Sequence, residues 1–289
     1  MAISLQSFTF GQITWARNIL AGLAMGAIVL LTRTKLPRIG RNHLHFAVIG
    51  LTSNVIPHLG FGFGQNEAPS ALAAMFNATS PLAAALLAAL VFKVERLTLR
   101  RALIIAVGVL GVFVIVGPWK EVLAGDLIAQ LSCLVAGVSY AFSVVYTRRF
   151  VTDRGIPVLG MAFLNTAWSA VIVIALTPLL LPYPVHWDWA AVIAIAWIGV
   201  VVTGVAQVWN LNVLNAWGPV AVSTVTYLIP VVALVLGVVV LREELEWNQP
   251  VGAAIVVFSV IAMRLRPRRL RLRRGTPRPP AAPESPRSS

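Results

Sequence analysis

Arg17 is the one charged residue placed well inside a long apolar stretch, "ITWARNILAGLAMGAIVLLTR". A charged side chain within a membrane-spanning helix is costly and is a functional candidate by default. Its guanidinium could face a cavity and bind an anionic group of a small molecule. It could instead extend to the nearby membrane interface, since Arg17 lies close to the outer end of the stretch. The sequence leaves both interpretations open.

Two polar residues flank a proline in the next apolar stretch. Asn54 and His58 are one helical turn apart, on either side of Pro57, and would share one face of a helix. They could form a hydrogen-bonding pair that faces a cavity, or make polar contacts between packed helices. The proline removes a backbone hydrogen bond and predicts a kink.

Two further prolines have polar residues just before them. Asn77 precedes Pro81 by one turn, and Tyr227 lies three residues before Pro230. A proline inside a helix leaves a carbonyl group without its donor, so each side chain could either repair the kink or bind a ligand. Four more residues complete the candidate lining of a cavity: Asn165, Trp168, Gln207 and Asn210.

No catalytic or cofactor-binding constellation is present. The four histidines have no carboxylate or histidine partner at ligand spacing, and Cys133 is the only cysteine, which excludes internal disulfides. The phosphate-binding loop of ATP-driven pumps is missing. No Asp or Glu falls in the middle of an apolar stretch, so His58 is the one visible carrier for proton coupling. We expect no metal, no cofactor and no enzymatic activity.

These residues belong to a chain that is too apolar for a water-facing surface. Of its 289 residues, 58% are hydrophobic and 11% are charged, whereas soluble domains carry about 25% charged residues. Apolar runs of about 20 residues cross membranes as helices. We predict an all-α polytopic membrane protein with nine spans, at 15–32, 44–64, 69–92, 101–118, 126–147, 157–181, 189–209, 219–241 and 250–264.

Lysine and arginine orient these spans. Of the 23 such residues, 20 fall in alternate loops and the C-terminal tail, and two fall on the other side. Because positively charged loops stay in the cytoplasm, we expect a protein of the cell membrane with a cytoplasmic C-terminus. Residues 265–289 are rich in Arg, Pro and Ser. We expect this tail to be disordered and to lie near anionic lipids rather than to bind nucleic acid.

A proline and a glutamate 14 residues apart occur in two apolar segments, Pro81 to Glu95 and Pro230 to Glu244. By the charge distribution, the Glu95 end is cytoplasmic and the Glu244 end is external, so the two copies are inverted in the membrane. Inverted repeats are common in secondary transporters, and proline-interrupted helices at matching positions indicate the midplane binding site.

Small residues follow each proline at matching positions and predict close helix packing: Ala84 and Ala88 in the first copy, Ala233 and Gly237 in the second. The two glutamates lie at the ends of their spans. We expect them to cap helices or to pair with the neighbouring Lys93 and Arg242.

The same segments resemble a known family. "SPLAAALLAALVFKVERLTLRRALIIAVGVLG" and "GPVAVSTVTYLIPVVALVLGVVVLREELEWNQPVGAAIVV" are similar to the EamA-type permeases of the drug/metabolite transporter superfamily. "AGDLIAQLSCLVAGVSYAFSVVYTRR" resembles the helix that opens the second half of those permeases. The resemblance extends to about residue 265. It implies ten helices in two inverted halves of five, and a cavity for amino acids or other small amphipathic metabolites. Arg17 matches an arginine that is common in the family's second helix.

The chain departs from the family pattern at its front. Its first span resembles the family's second helix, so the predicted repeats are 1–118 with four helices and 126–264 with five, followed by the tail 265–289. Either the start codon lies further upstream or the protein is a nine-span variant. A truncated form would lack one wall of the cavity.

We therefore expect a secondary transporter that moves small metabolites such as amino acids, in the outward direction, by alternating access. The alternatives are a structural or channel-like membrane protein, or a non-functional truncated permease. The expected partners are a small-molecule substrate and the lipid bilayer, with a homodimer as an option.

Overall fold

The computed structural model describes residues 8–37, 40–67, 77, 80–116, 127–181, 188–225, 228, 231–232 and 247–264. Its main elements are all helical. They are α1 (Phe10–Leu31), α2 (Arg41–Gly50), π1 (Leu51–Val55), α3 (Ile56–Glu67), α4 (Ser80–Leu86), π2 (Leu87–Val91), α5 (Leu99–Val116), α6 (Leu127–Phe150), α7 (Val158–Ala175), α8 (Thr177–Leu180), α9 (Trp189–Trp197), π3 (Ile198–Val205), α10 (Ala206–Trp217), α11 (Pro219–Thr224) and α12 (Asn248–Arg264). The π segments are turns with i→i+5 hydrogen bonds inserted into longer helices.

Five helices of the described chain are long and apolar enough to cross a membrane: Phe10–Leu31, Asn42–Gly64, Leu127–Arg154, Val158–Ala175 and Trp189–Trp217. Large apolar side chains lie exposed on the outside, such as Leu31 at 84% and Trp189 at 79%, as a lipid-facing surface requires. The chain is therefore a multi-pass membrane protein. Much of the spans 69–92 and 219–241 falls outside the described residues, so the count of nine stays a prediction.

Two helix boundaries differ from the prediction. Helix α1 begins at Phe10 rather than at 15, because Thr9 and Gln12 form a capping box that satisfies its first backbone N–H groups. The span predicted to end at 209 continues through α10 to Trp217 and ends at Gly218, where φ is +85°. The asparagines of α10 do not end the helix, because polar side chains leave the backbone hydrogen bonds intact.

Small residues allow helices of the two predicted repeats to approach each other closely. Ala84 and Ala88, predicted as packing residues, are fully buried in a cluster that joins α4, α5, α6 and α11. Helices α5 and α12 meet at two glycines: a Cβ on Gly252 would lie 2.6 Å from the Gly111 carbonyl oxygen and 2.5 Å from the Ile115 nitrogen. Ala233 and Gly237 lie outside the described residues.

The loops assemble at two opposite ends of the bundle. At one end of the bundle, which we name the Glu95 end, three contacts join helix ends and loops that are distant in sequence. They are Arg154 to Asn42, Arg100 to Ala262, and Glu95 to Val220. At the other, named the Trp15 end, the corresponding contacts are Trp15 to Thr177, Ile13 to Ala191, and Asn248 to Ile115. This grouping is the one that alternating membrane crossings produce.

Candidate functional site

Arg17 is buried and bonded within the bundle. Its side chain is 8% exposed, and its Nε and Nη2 donate to the Thr203 hydroxyl at 3.1 and 2.8 Å. Thr203 in turn donates to the Ile198 carbonyl at 3.0 Å. A Cβ on Gly199 would lie 3.0 Å from the Arg17 carbonyl oxygen, so this glycine lets π3 pack directly against α1. The alternative in which Arg17 extends to the membrane interface is wrong, because the guanidinium is directed at π3.

No carboxylate compensates this charge among the described residues. Within the described residues, an ion pair joins Glu95 and Arg101, away from Arg17. The partner of the Arg17 guanidinium is the neutral hydroxyl of Thr203. A charge at the centre of a membrane helix costs about 2.5–3.5 kcal/mol even on the lower of the measured scales. A cation held at that cost without a protein anion is suited to an anionic ligand.

His58 and Asn18 form a second contact, partly buried, between α3 and α1. The Asn18 amide Nδ2 donates to the Thr14 carbonyl at 2.7 Å and lies 3.3 Å from His58 Nδ1. Two buried oxygens beside it, Asn18 Oδ1 and Thr14 Oγ1, have no hydrogen-bond partner in the described chain. Thr14, Arg17 and Asn18 occupy one face of α1, so all three contribute to one polar region.

Asn54 and Asn165 meet in a cluster of neutral side chains. Asn165 Oδ1 accepts from Asn54 Nδ2 at 3.1 Å and from Ser53 Oγ at 3.0 Å, and Ser169 Oγ lies 3.5 Å from Asn54 Nδ2. These bonds join π1 to α7. Asn54 and His58 are therefore not a pair: each one contacts a different helix.

The π segments bring these polar side chains into the bundle. Ser53 and Asn54 belong to π1, and Thr203 belongs to π3. Pro57 lies two residues after π1, and the helix continues through it; the Ile56 N–H is bonded to the Leu51 carbonyl. The proline therefore accompanies a π turn, and the kink at Pro57 stays a prediction. Such turns occur frequently at functional sites.

The sequence matches the EamA-like transporter family over residues 1–117 and 127–265, which together make up most of the chain. The chain belongs to this family. EamA-like proteins are transporters and not enzymes, so this membrane protein has a small molecule as its substrate. The match agrees with the resemblance noted in the helices around Pro81 and Pro230.

The fold of this EamA-like transporter is also that of known structures. A crystal structure described only as that of a protein superposes with a TM-score of 0.71, covering 88% of both chains at 20% sequence identity. At that identity the likeness concerns the fold alone. No curated protein is similar enough to the chain to count as a match.

The remaining predicted residues of this transporter are dispersed. Asn210 donates to the Tyr140 hydroxyl at 2.8 Å, and Trp168 Nε1 to His43 Nδ1 at 3.3 Å. Asn77 accepts from Ser80 at 3.4 Å. Gln207 is half-buried, and Tyr227 and Pro230 lie outside the described residues. Pro81 is the second residue of α4, and its position at mid-span stays a prediction.

Eight partners in these contacts were not singled out from the sequence: Thr14, Asn18, His43, Ser53, Ser80, Tyr140, Ser169 and Thr203. Serine and threonine are so common in membrane helices that their residue type alone does not indicate a site. Spacing could have found Thr14 and Asn18, because they lie three residues before and one residue after Arg17 on the same face of the helix.

A cavity of about 380 Å³ lies at the Glu95 end of the transporter, away from Arg17. It is lined by Glu95, Arg101, Ala216, Trp217, Val220, Ala221, Thr224, Val225, Leu228 and Val260. Glu95 Oε2 pairs with Arg101 at 3.1 Å and not with the predicted Lys93. Burial raises the pKa of the Glu95 carboxyl, although Arg101 and a hydrogen bond from Val220 N–H act in the opposite direction. A Cβ on Gly218 would collide with this carboxylate.

Proposed function

We propose that the protein is a secondary transporter that exports small metabolites such as amino acids by alternating access across the cell membrane, with a cytoplasmic C-terminus. The observation that carries this proposal is Arg17, a buried cation whose partner, Thr203, comes from the other predicted repeat. A site between two repeats is where such transporters bind their substrates.

The directions of two segments support an inverted arrangement of the repeats 1–118 and 126–264. The segment that starts at Ser80 runs towards Glu95, at the Glu95 end. The chain from Pro219 starts at that same end, and α12 begins at the opposite end, where Asn248 bonds the Ile115 carbonyl at 3.1 Å. The described parts of the two segments are thus consistent with opposite directions, which is the arrangement expected of inverted repeats.

The candidate residues take different parts in this proposal. Arg17 and His58 would contact the substrate, and Asn54 with Asn165 would hold π1 against α7. Trp168, Gln207, Asn210, Asn77 and Tyr227 remain candidate lining residues. The proximity of the tail 265–289 to anionic lipid and the formation of a homodimer also remain expectations.

Export is tested by growth of cells that lack or overexpress the protein, on a panel of toxic amino-acid analogues. We expect overexpression to raise tolerance to at least one compound, and Arg17→Gln to abolish the gain at equal membrane abundance. Arg149→Gln is the matched control, because Arg149 is exposed. Equal tolerance in all strains would contradict the proposal, and an equal effect of both variants would remove Arg17 from the site.

A channel-like protein is the second candidate, and exchange kinetics separate it from a transporter. In liposomes that contain the purified protein, alternating access predicts saturable uptake that is accelerated by unlabelled substrate on the opposite side. A channel gives uptake that rises linearly with concentration and shows no such acceleration. Binding without any flux would favour a structural or truncated, inactive protein.

A further inference from the structure

Arg17 has hydrogen-bonding capacity that the described chain leaves unused. Its Nε and Nη2 both donate to one oxygen, that of Thr203. The Nη1 group makes no hydrogen bond to any residue that the structure describes. A guanidinium carries five N–H donors in a fixed planar arrangement, so its unused edge remains available to a planar, doubly accepting partner.

His58 presents a second unused donor beside it. The Asn18 nitrogen that faces His58 must be Nδ2, because the same atom donates to the Thr14 carbonyl at 2.7 Å, and a carbonyl only accepts. His58 Nδ1 lies 3.3 Å from this donor and is therefore the acceptor, which places the ring proton on Nε2. That N–H has no partner among the described residues.

His58 contacts Asn18, the residue next to Arg17 on α1, so both donors belong to one region with one positive charge and no described carboxylate. A carboxylate has two coplanar oxygens with about four acceptor positions, and its pairing with arginine is frequently bidentate. An ammonium group would instead meet a cation here, with only the neutral oxygens Asn18 Oδ1 and Thr14 Oγ1 to accept from it. We propose that Arg17 and His58 form a carboxylate-binding subsite, so that the substrates are small carboxylates recognised by their anionic group.

The proposal rests on the transport function proposed above and narrows its substrates to small carboxylates. Amino acids qualify through their carboxylate, and their amino group can donate to Asn18 Oδ1 or Thr14 Oγ1. Deaminated acids of the same size also qualify, whereas amines and amides of the same skeleton do not. Thr203 positions the guanidinium by holding its Nε and Nη2 edge.

The test compares three skeletons, those of alanine, leucine and phenylalanine, each as the free amino acid, its amide and the deaminated acid. Binding is measured as a thermal shift of the purified full chain, and transport is measured in liposomes. We expect a carboxylate to bind about 10- to 100-fold more tightly than the matching amide, the range for loss of one hydrogen bond to a charged group. The deaminated acid should keep most of the affinity.

Arg17→Gln should abolish the preference for the carboxylate over the amide, and Arg17→Lys should keep part of it, because lysine retains the charge without the bidentate geometry. Arg149→Gln should leave the preference unchanged. Equal binding of carboxylates and amides, or binding of none of the probes, would overturn the subsite. Transport of amides and acids at equal rates would overturn it while leaving the transport function intact. Carboxylate binding without flux would support the subsite and contradict transport.

Discussion

The Arg17–Thr203 contact allows a quantitative test of the buried polar region. Thr203→Val removes the hydroxyl that accepts from Nε and Nη2 of Arg17 and keeps a side chain of similar shape. The guanidinium then lies in the bundle without its described partner. A hydrogen bond to a charged group contributes about 1.5–3 kcal/mol. Because both bonds share one acceptor oxygen, we expect a total loss of about 2–3 kcal/mol.

A loss of that size is measurable by thermal unfolding of the purified protein in detergent. For a chain of this size, 1 kcal/mol corresponds to about 2–4 °C in Tm, so Thr203→Val should lower Tm by about 4–12 °C. Arg17→Met should cost less, because it removes the buried charge and leaves the Thr203 hydroxyl bonded to the Ile198 carbonyl. The double variant should resemble Arg17→Met.

The coupling energy of this double-mutant cycle tests whether Thr203 stabilises the buried Arg17. We expect about 2 kcal/mol, since the two bonds from the guanidinium that Thr203→Val removes exist only while Arg17 is present. Additive effects of the two substitutions would refute the reasoning, because Arg17 would then be stabilised by something other than Thr203. An unchanged Tm in Thr203→Val would do so equally.

Three further predictions concern packing, a neutral polar contact and a titrating group. Gly252→Ala should lower Tm, because the added Cβ would meet the α5 backbone. This effect should exceed the gain of about 1 kcal/mol that alanine brings to a helix over glycine. Ala254→Ser, at an exposed site, is the control. Asn165→Val should cost about 1–2 kcal/mol, because two hydrogen bonds end at its Oδ1. Asn212→Val, at an exposed site, should be neutral in the same thermal assay. The pKa of Glu95 is raised, so its contribution to stability is greatest at low pH and is lost as pH rises through that pKa. The Tm of the unchanged protein should therefore fall over this pH range, and the Tm of Glu95→Gln should lack this decrease. Identical pH series of Tm in both proteins would contradict the prediction.

Much of the helical layout could be predicted from the sequence, because membrane spans are determined by apolar length alone. The spans 101–118 and 126–147 correspond to α5 at Leu99–Val116 and α6 at Leu127–Phe150. The small residues after Pro81 are buried, since only small side chains allow helices to approach closely. Arg17 was also identified, because one charge in an apolar run is conspicuous in any sequence.

The partners of the polar residues could not be predicted, and the relation of Asn54 to His58 shows why. A spacing of four residues places two side chains on one face of a helix, but one face can pack against two neighbouring helices. His58 contacts α1 and Asn54 contacts α7. The sequence spacing does not tell which neighbouring helix supplies the partner of each side chain.

The segments π1 and π3 make reciprocal contacts between the predicted repeats, and these contacts bear on the proposed rocking motion. Thr203 of π3 holds Arg17 on α1, and Asn54 of π1 holds Asn165 on α7, so each predicted repeat holds the other at a π turn. Rocking one repeat against the other would have to break both contacts together. A carboxylate bound at the unused edge of Arg17 could compensate the loss of the Thr203 contact, because its hydrogen bonds to the guanidinium are charge-assisted. An empty protein would have no such compensation, which would couple opening of the bundle to the presence of substrate.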